Sequence, residues 1–395
     1  MSRILANPNR LRGYRIKLYP TDEQIKMINS NINSYRAIYN IGLGLQNQNY
    51  SNGNSYIKYF DMCKIFSDMR NNNPNYYWFN DIQLSTIRQA LRDLDNAFKN
   101  FFEKRTNYPK FKTKRKSKKF FTTRSERTHI KNNYIRVPGI GLIDAKNHII
   151  PMNCRLYNTG ISFDGYDYWF YCQVEKDIIQ IPQTIRNRNP IGIDVGIRNM
   201  ITTSNGDYYH FSDTSKLEKR LKRQQRRLQK SYNKYLIMSM LTKTKYEDIP
   251  KSKNMQKRLK SQFKTYAKIK NKKHNDIHNA TKSIVETYPS AIVIENIKVS
   301  DQLKNSWLKR FTPNMLYYEI HRQLKYKAED RNIPVIIADR DFPSSQICSR
   351  CGIIHKVYGN HRFICKNCGL RIDRDLNAAI NLRNLACQEQ AYIVA

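Results

Sequence analysis

Two cysteine pairs near the C-terminal end restrict this chain more than any other feature. Cys348 and Cys351 are separated by two residues, as are Cys365 and Cys368, and thirteen residues lie between the pairs. Each such turn presents two thiolates to one side. Two turns close a tetrahedral four-sulfur site with Zn–S bonds of about 2.3 Å. Gly352 and Gly369 each follow the second cysteine of a pair, where the turn needs backbone freedom. We expect one structural Zn²⁺ here. A closed site keeps no open position, which argues against catalysis or redox chemistry at this metal. Zinc ribbons brace other structure, and some bind nucleic acid; the spacing leaves both open. Cys63, Cys154, Cys172 and Cys387 show no pairing pattern and are expected to be buried hydrophobes in a reducing compartment.

The second constraint is acidic. Asp194 lies in "IGIDVGIRN", Glu295 in "AIVIENI", and Asp373 and Asp375 in "IDRDLNAAINL", just after the cysteines. A charge inside or at the end of a buried apolar strand costs several kcal/mol unless it is paired or metal-bound. One such residue can be a strand end at the surface. Three such sites in one half of a chain point to a shared crevice, where parallel strands bring side chains together. Clustered carboxylates suit Mg²⁺ or Mn²⁺. Two such ions, about 3.5–4 Å apart, activate water and stabilise the leaving oxygen of a phosphodiester. The ribbon sits just before the last acidic residue, so its expected task is to hold that residue and the strand path in place.

The rest of the chain has the opposite sign. Lys and Arg number 70 against 32 Asp and Glu, a net charge of +38. A field of this sign attracts polyanions, and nucleic acid fits better than a membrane surface, since no amphipathic anchor stands out. No apolar run approaches the roughly 18 residues of a membrane span. The basic N-terminal stretch lacks the apolar core of a secretory signal. An intracellular, cytoplasmic protein is expected.

The 395 residues suggest two or three domains. "YRIKLYPTDEQIKMI" reads as a strand and then a helix, with Thr21 and Gln24 forming a capping box. Ile25, Ile28, Ile32, Tyr35, Tyr39 and Leu43 recur at helical spacing, as do Ile87, Leu91, Leu94, Phe98 and Phe102 in 84–105. Residues 108–121 carry seven Lys or Arg and four aromatics, the composition of a phosphate-tracking segment. From about 129 to 176 short strands alternate with turns, an all-β unit expected to be a small barrel completed by the strand near Tyr14. After the linker 186–190 the pattern becomes strand–helix alternation, including a very basic helix at 215–230.

The three acidic segments resemble the motifs of a RuvC-type, RNase H-like nuclease core. Their order, with "SSQICSRCG" and "CKNCG" before the third, resembles the TnpB family, which comprises transposon-associated, RNA-guided DNA endonucleases related to compact type V CRISPR effectors. "LRDLDNAFKNFF" with "YPKFKTK" resembles the family's helical recognition region, and "YRIKLYPTDEQ" its opening strand and helix, so the likeness covers nearly the whole chain. The resemblance implies an α+β multidomain protein. A β-barrel wedge domain would span 1–20 and 120–185, and an inserted helical recognition lobe 21–119. A RuvC/RNase H-like α/β core would span 186–395, with the zinc ribbon inserted at about 344–371.

It also implies that Asp194, Glu295 and Asp375 hold two Mg²⁺ or Mn²⁺ ions as the catalytic triad. Asp375 is chosen over Asp373 because it stands directly before "LNAA"; Asp373 becomes a supporting or capping residue and Asn377 a helix-start residue near the site. The implied partners are a guide RNA, with one chain per guide, and double-stranded target DNA read beside a short adjacent motif. Tyr35, Tyr39, Asn40, Ser85 and Gln89 are candidates for facing that motif, since Ser85 and Gln89 lie one helical turn apart and Gln can pair with an adenine edge. Lys112, Lys114 and Lys116, with the helix 215–230, are candidates for backbone contacts. The alternatives are a compact type V CRISPR effector and a non-cleaving nucleic-acid-binding regulator; a strand-joining transposase would share the same metal chemistry.

Overall fold

The computed structural model describes residues 11–114, 117–146, 150, 154–175, 189–196, 198–242, 249, 251–296, 314–339, 341–355 and 361–394. The chain divides into two compact units, Met1–Lys176 and Asp177–Ala395.

The first unit joins three helices to two small sheets. Strand β1 (Leu11–Leu18) leads into α1 (Asp22–Ser51), and the Thr21–Gln24 capping box closes reciprocally at the helix start. α1 packs with α2 (Tyr59–Asn72) and α3 (Leu84–Phe102) around Tyr35, Ile38, Leu43, Phe66, Phe79 and Leu91. The apolar stripe of α3 is buried from Ile87 to Phe98, but Phe102, at the helix end, is 55% exposed.

The strands of the β region are short. They are β2 (Lys119–Thr122), β3 (His129–Lys131), β4 (Tyr134–Val137), β5 (Gly141–Asp144), β6 (Leu156–Phe163) and β7 (Tyr168–Glu175). β1 pairs along β7 with Tyr14 opposite Cys172, so the first strand does complete the β unit. The expected closed barrel is not what the hydrogen bonds form. Among the described residues there is a four-stranded sheet, β1-β7-β6-β2, and a three-stranded sheet, β3-β4-β5. They share one core through Phe121, Ile135, Ile143, Ile161 and Phe170 and are linked by a single bridge, Tyr19 to Asp144. Strands of three or four residues on one side are too short to extend a continuous ladder round the core.

The second unit is built on a five-stranded sheet. β8 (Ile191–Asp194), β9 (Ile201–Thr203) and β10 (Tyr208–Tyr209) form an antiparallel meander. β11 (Ile292–Ile294) and β12 (Val335–Ile337) add parallel to β8, giving the order β10-β9-β8-β11-β12. Two long helices, α4 (Ser215–Thr242) and α5 (Lys253–Glu286), lie between β10 and β11, and α6 (Asn314–Glu329) lies between β11 and β12. β13 (Arg362–Ile364) and β14 (Arg371–Asp373) pair as a separate ribbon, and α7 (Arg374–Val394) starts at the next residue.

Strand alternation decides which helix covers which face. Ile191, Ile193, Ile292 and Ile294 pack with Ile277 and Ile284 of α5 and Ile320 and Leu324 of α6. Val293, on the opposite face, packs with Leu382 and Ala386 of α7. Gly192 lies on that second face too, where α7 comes so close that no larger residue fits. Of the described helices, none is long and apolar enough to cross a membrane.

Candidate active site and zinc centre

The same alternation puts the carboxylates on one face. Asp194 is two residues beyond Gly192 and Glu295 two beyond Val293, so both project to the side covered by α7. The parallel register pairs Val293 with Gly192 and Ile294 with Ile193, which makes Glu295 and Asp194 neighbours at the C-terminal ends of adjacent strands. In open α/β sheets that is the edge where ligands bind. α7 supplies the third acid, since Asp375 sits in its first turn. A Cβ placed on Gly196 would lie 3.7 Å from Asp375 Oδ2 and 3.9 Å from Asp194 Oδ2. The two carboxylates therefore converge on one small space, kept open by the lack of a side chain at Gly196.

The electrostatics are those of crowded anions. Burial raises Asp194 well above the ordinary carboxylate range, and Glu295 and Asp375 push it the same way, with Arg374 opposing. Burial also raises Glu295, against a hydrogen bond from Ser344 that favours its charged form. Tyr317 of α6 is pushed up to about 12, first by burial and then by all three acids. Arg374 lies 3.7 Å from Asp375. An all-oxygen donor set of this charge fits a hard divalent cation.

Supporting residues hold Glu295 and Asp375. Ser344 Oγ donates to Glu295 Oε1. Asn199 Nδ2 donates to Asp375 Oδ2 at 3.3 Å. Asp373 Oδ1 accepts from the Asp375 and Leu376 amides at 3.0 and 3.2 Å, so Asp373 caps α7. The macrodipole of α7 favours an acid in its first turn, where Asp375 stands.

The four ribbon sulfurs all lie within 4.8 Å of one another, with Cys348–Cys368 at 3.5 Å and Cys351–Cys365 at 3.6 Å. A tetrahedral site with Zn–S bonds of about 2.3 Å needs sulfurs roughly 3.8 Å apart, so the set fits zinc. Gly352 and Gly369 take positive φ, 77° and 72°, and their amides return to Cys348 and Cys365. His355 Nε2 lies 3.1 Å from Cys365 Sγ, a contact the sequence pattern did not suggest.

Asn377 has a different task from the one implied by its place in the sequence. It is fully buried, and its side chain accepts from the Ser349 amide at 3.0 Å and donates to the Ile347 carbonyl at 2.7 Å. Asn381, one turn on, donates to the carbonyls of Ser344 and Ile347, each at 2.7 Å. The two asparagines thus clamp the first cysteine turn to α7. Ser344, in the same loop, reaches Glu295, so zinc ribbon, α7 and β11 are tied together.

In the first unit the expected nucleic-acid contacts divide. Asn40 pairs both polar atoms with the Lys112 backbone, at 2.9 and 2.7 Å. Lys112 Nζ donates to Tyr35 at 3.1 Å and sits 3.8 Å from the centre of the Tyr39 ring. Burial lowers Lys112 to about 8. Tyr39, Asn40 and Lys112 therefore contact one another inside the fold. Ser85 and Gln89 do share a face, and both line a cleft of about 760 Å³ between α3 and the strands. Ser85 is held to the Thr122 carbonyl at 3.0 Å and Gln89 donates to Asp93 at 2.8 Å. Arg88 and Arg92 line the same cleft from α3, as do Arg124 and Arg127 opposite. The sequence signal for them was the i, i+3, i+4, i+7 spacing of Ser85, Arg88, Gln89 and Arg92, on the polar side of the apolar stripe. Lys114 is exposed, and Lys116 lies outside the described residues.

Comparison with known proteins finds similarity along most of the chain. The family model of OrfB from IS605, described as "Probable transposase", matches residues 170–306, and a "Cas12f1-like, TNB domain" matches 317–382. A "Helix-turn-helix domain" matches 9–55, although here that stretch holds β1 and the single long helix α1. A Streptomyces pristinaespiralis protein named "Putative RNA-guided DNA endonuclease" is 26% identical over 94% of this chain and 88% of its own length. InsQ of Escherichia coli K12, which carries the same description, is 26% identical over 94% of this chain and 92% of its own. Along most of its length the chain is similar to TnpB-type proteins. The two matched stretches contain Asp194 and Glu295 in one and the four cysteines with Asp375 in the other. A solved structure of CasPhi-2 (Cas12j) bound to crRNA aligns with 97% of this chain and 99% of its own at 12% identity, with a TM-score of 0.43.

Proposed function

We propose that this protein is an RNA-guided DNA endonuclease, with a RuvC-like site at Asp194, Glu295 and Asp375. The observation that carries the reading is the convergence of three acids, from β8, the end of β11 and the start of α7, on one face of one sheet. The sheet order, an antiparallel meander followed by two parallel strands, supports an RNase H-like core.

The three carboxylates would hold two Mg²⁺ or Mn²⁺ ions, and the chemistry such ions would supply is activation of water and stabilisation of the leaving oxygen of a phosphodiester. The chain's own residues set up that site. Ser344 aims Glu295, Asn199 aims Asp375, and Asp373 fixes the start of the helix that carries Asp375. Burial keeps bulk water from screening the acids. Asn381 of α7 braces the loop that carries Ser344.

Guide RNA would read the target by base pairing, while the protein reads shape, backbone charge and a short adjacent motif. The cleft bearing Gln89, Arg88, Arg92, Arg124 and Arg127 is the site we assign to that motif. The test is to purify the protein with the RNA it retains, sequence that RNA, and supply matching DNA carrying a randomised adjacent sequence. Mg²⁺-dependent cleavage restricted to a subset of adjacent sequences is expected. Absence of retained RNA, or cleavage that ignores the RNA sequence, contradicts the reading.

A further inference from the structure

The helical hairpin of α4 and α5 stands apart from the acidic site and has its own surface chemistry. Its contacts run Gln224 to Ser261 at 2.9 Å, Ser231 to Arg258 at 2.9 Å and Tyr235 to Ser252 at 2.6 Å, so the helices are antiparallel. Between them lies a groove of about 630 Å³ lined by Arg220, Arg223, Arg227 and Lys230 of α4 and Arg258 of α5. Of the described residues, no acidic one lines it. Among the described residues, none of the four α4 cations makes an ion pair. From Arg220 to Lys230 the helix rises about 15 Å, room for a few successive phosphates.

Toward the tip the character changes. A second cavity of about 360 Å³ shares Arg258 with the first; Tyr235, Met238 and Met255 line it beside Ser231, Lys234, Ser252 and Asn254. Met238 is 51% exposed, and Leu236, Ile237, Met240 and Leu241 on either side of it are 48–79% exposed. The Tyr235 hydroxyl is held by the Ser252 amide, which fixes its ring. A cluster of exposed apolar side chains beside an unpaired cationic groove asks for a ligand with both characters.

We infer that the α4–α5 hairpin is a track for an unpaired polynucleotide strand, with phosphates along Arg220–Lys230 and bases against Tyr235 and Met238. A duplex offers phosphates but hides its base faces, so the apolar end would be idle against one. An unpaired strand offers both, and positive grooves with aromatic platforms are how such strands are held. This rests on the nucleic-acid reading above but not on the cleavage chemistry.

The experiment uses the full chain, with labelled oligothymidylate, oligouridylate and a DNA duplex of equal length, across a salt series. Arg223→Gln with Arg227→Gln should reduce the single-strand salt slope by about 1.4, at roughly 0.7 per lost contact. Tyr235→Leu should weaken single-strand binding about five-fold or more, with the slope unchanged; Tyr235→Phe should retain it. Met238→Ser, at an exposed position safe for folding, should weaken the single strand and spare the duplex. Comparing the thymidylate and uridylate arms tells whether the strand is DNA or RNA. Equal losses for duplex and single strand, or no effect of either Tyr235→Leu or Met238→Ser, overturns the inference. A wild-type chain that binds no polynucleotide at low salt overturns the nucleic-acid reading itself.

Discussion

Gly192 of β8 lies directly beneath Ala379 of α7: a Cβ on Gly192 would stand 2.0 Å from the Ala379 carbonyl oxygen and 2.5 Å from the Arg383 amide. Both are backbone atoms of a helix and cannot swing aside. The contact sets the distance from the strand that carries Asp194 to the helix that carries Asp375. Gly192→Ala should therefore cost at least the roughly 1–3 kcal/mol of ordinary overpacking. Denaturant titration should show that loss, and cleavage should fall further than stability does, because the acids separate.

The ribbon and α7 should separate in a second experiment. One zinc per chain is expected by elemental analysis, and Cys365→Ser should lower it and loosen the ribbon, since binding is coupled to folding. Asn377→Ala should keep the zinc but leave the Ser349 amide without its partner, at about 1–3 kcal/mol, and should slow cleavage. Equal zinc loss in both variants would mean the clamp is part of the metal site rather than a link from it.

These two cases mark what the sequence reveals. Charged residues in apolar strands are visible in a linear reading because their cost is local, and the cysteine spacing is a local geometry. Gly192, Ser344, Asn199 and Asn381 were invisible, because each matters only through a partner brought close by folding. The surroundings of Lys112 were invisible for the same reason. Charge density along 108–121 belongs to the sequence, whereas the aromatic rings of α1 that bury Lys112 belong to the tertiary structure. The barrel expectation failed on strand length, which turn residues alone do not fix.

Lys112 and Lys114 should accordingly behave as opposites. Lys114→Gln should reduce the salt slope of nucleic-acid binding by about 0.7–0.9 and leave stability unchanged. Lys112→Gln should leave the slope unchanged and lower the stability of the first unit. The reverse pattern in filter binding and thermal melts would make Lys112 a phosphate contact.

The crowded acids also predict a pH dependence. Asp194 and Glu295 are raised above their unfolded values, chiefly by burial. Their neutral forms suit the fold, so stability is highest at low pH and falls as pH rises through the folded values. In buffer without divalent cations, Asp194→Asn should melt above the wild type at neutral pH, with the gap closing near the ordinary carboxylate pKa of about 4. Mg²⁺ should raise the wild type and not the variant. A variant that melts below the wild type throughout would contradict the crowding.

The central claim is that Asp194, Glu295 and Asp375 form one metal-dependent nuclease site, and a paired binding and cleavage assay tests it most directly. Each of Asp194→Ala, Glu295→Ala and Asp375→Ala, loaded with the copurifying RNA and Mg²⁺, is predicted to bind matching DNA nearly as the wild type does and to cut none of it. Asp373→Ala, which removes only the helix cap, should cut more slowly but still cut. Cleavage that survives Asp194→Ala, or that is lost with Asp373→Ala and kept with Asp375→Ala, would contradict the assignment.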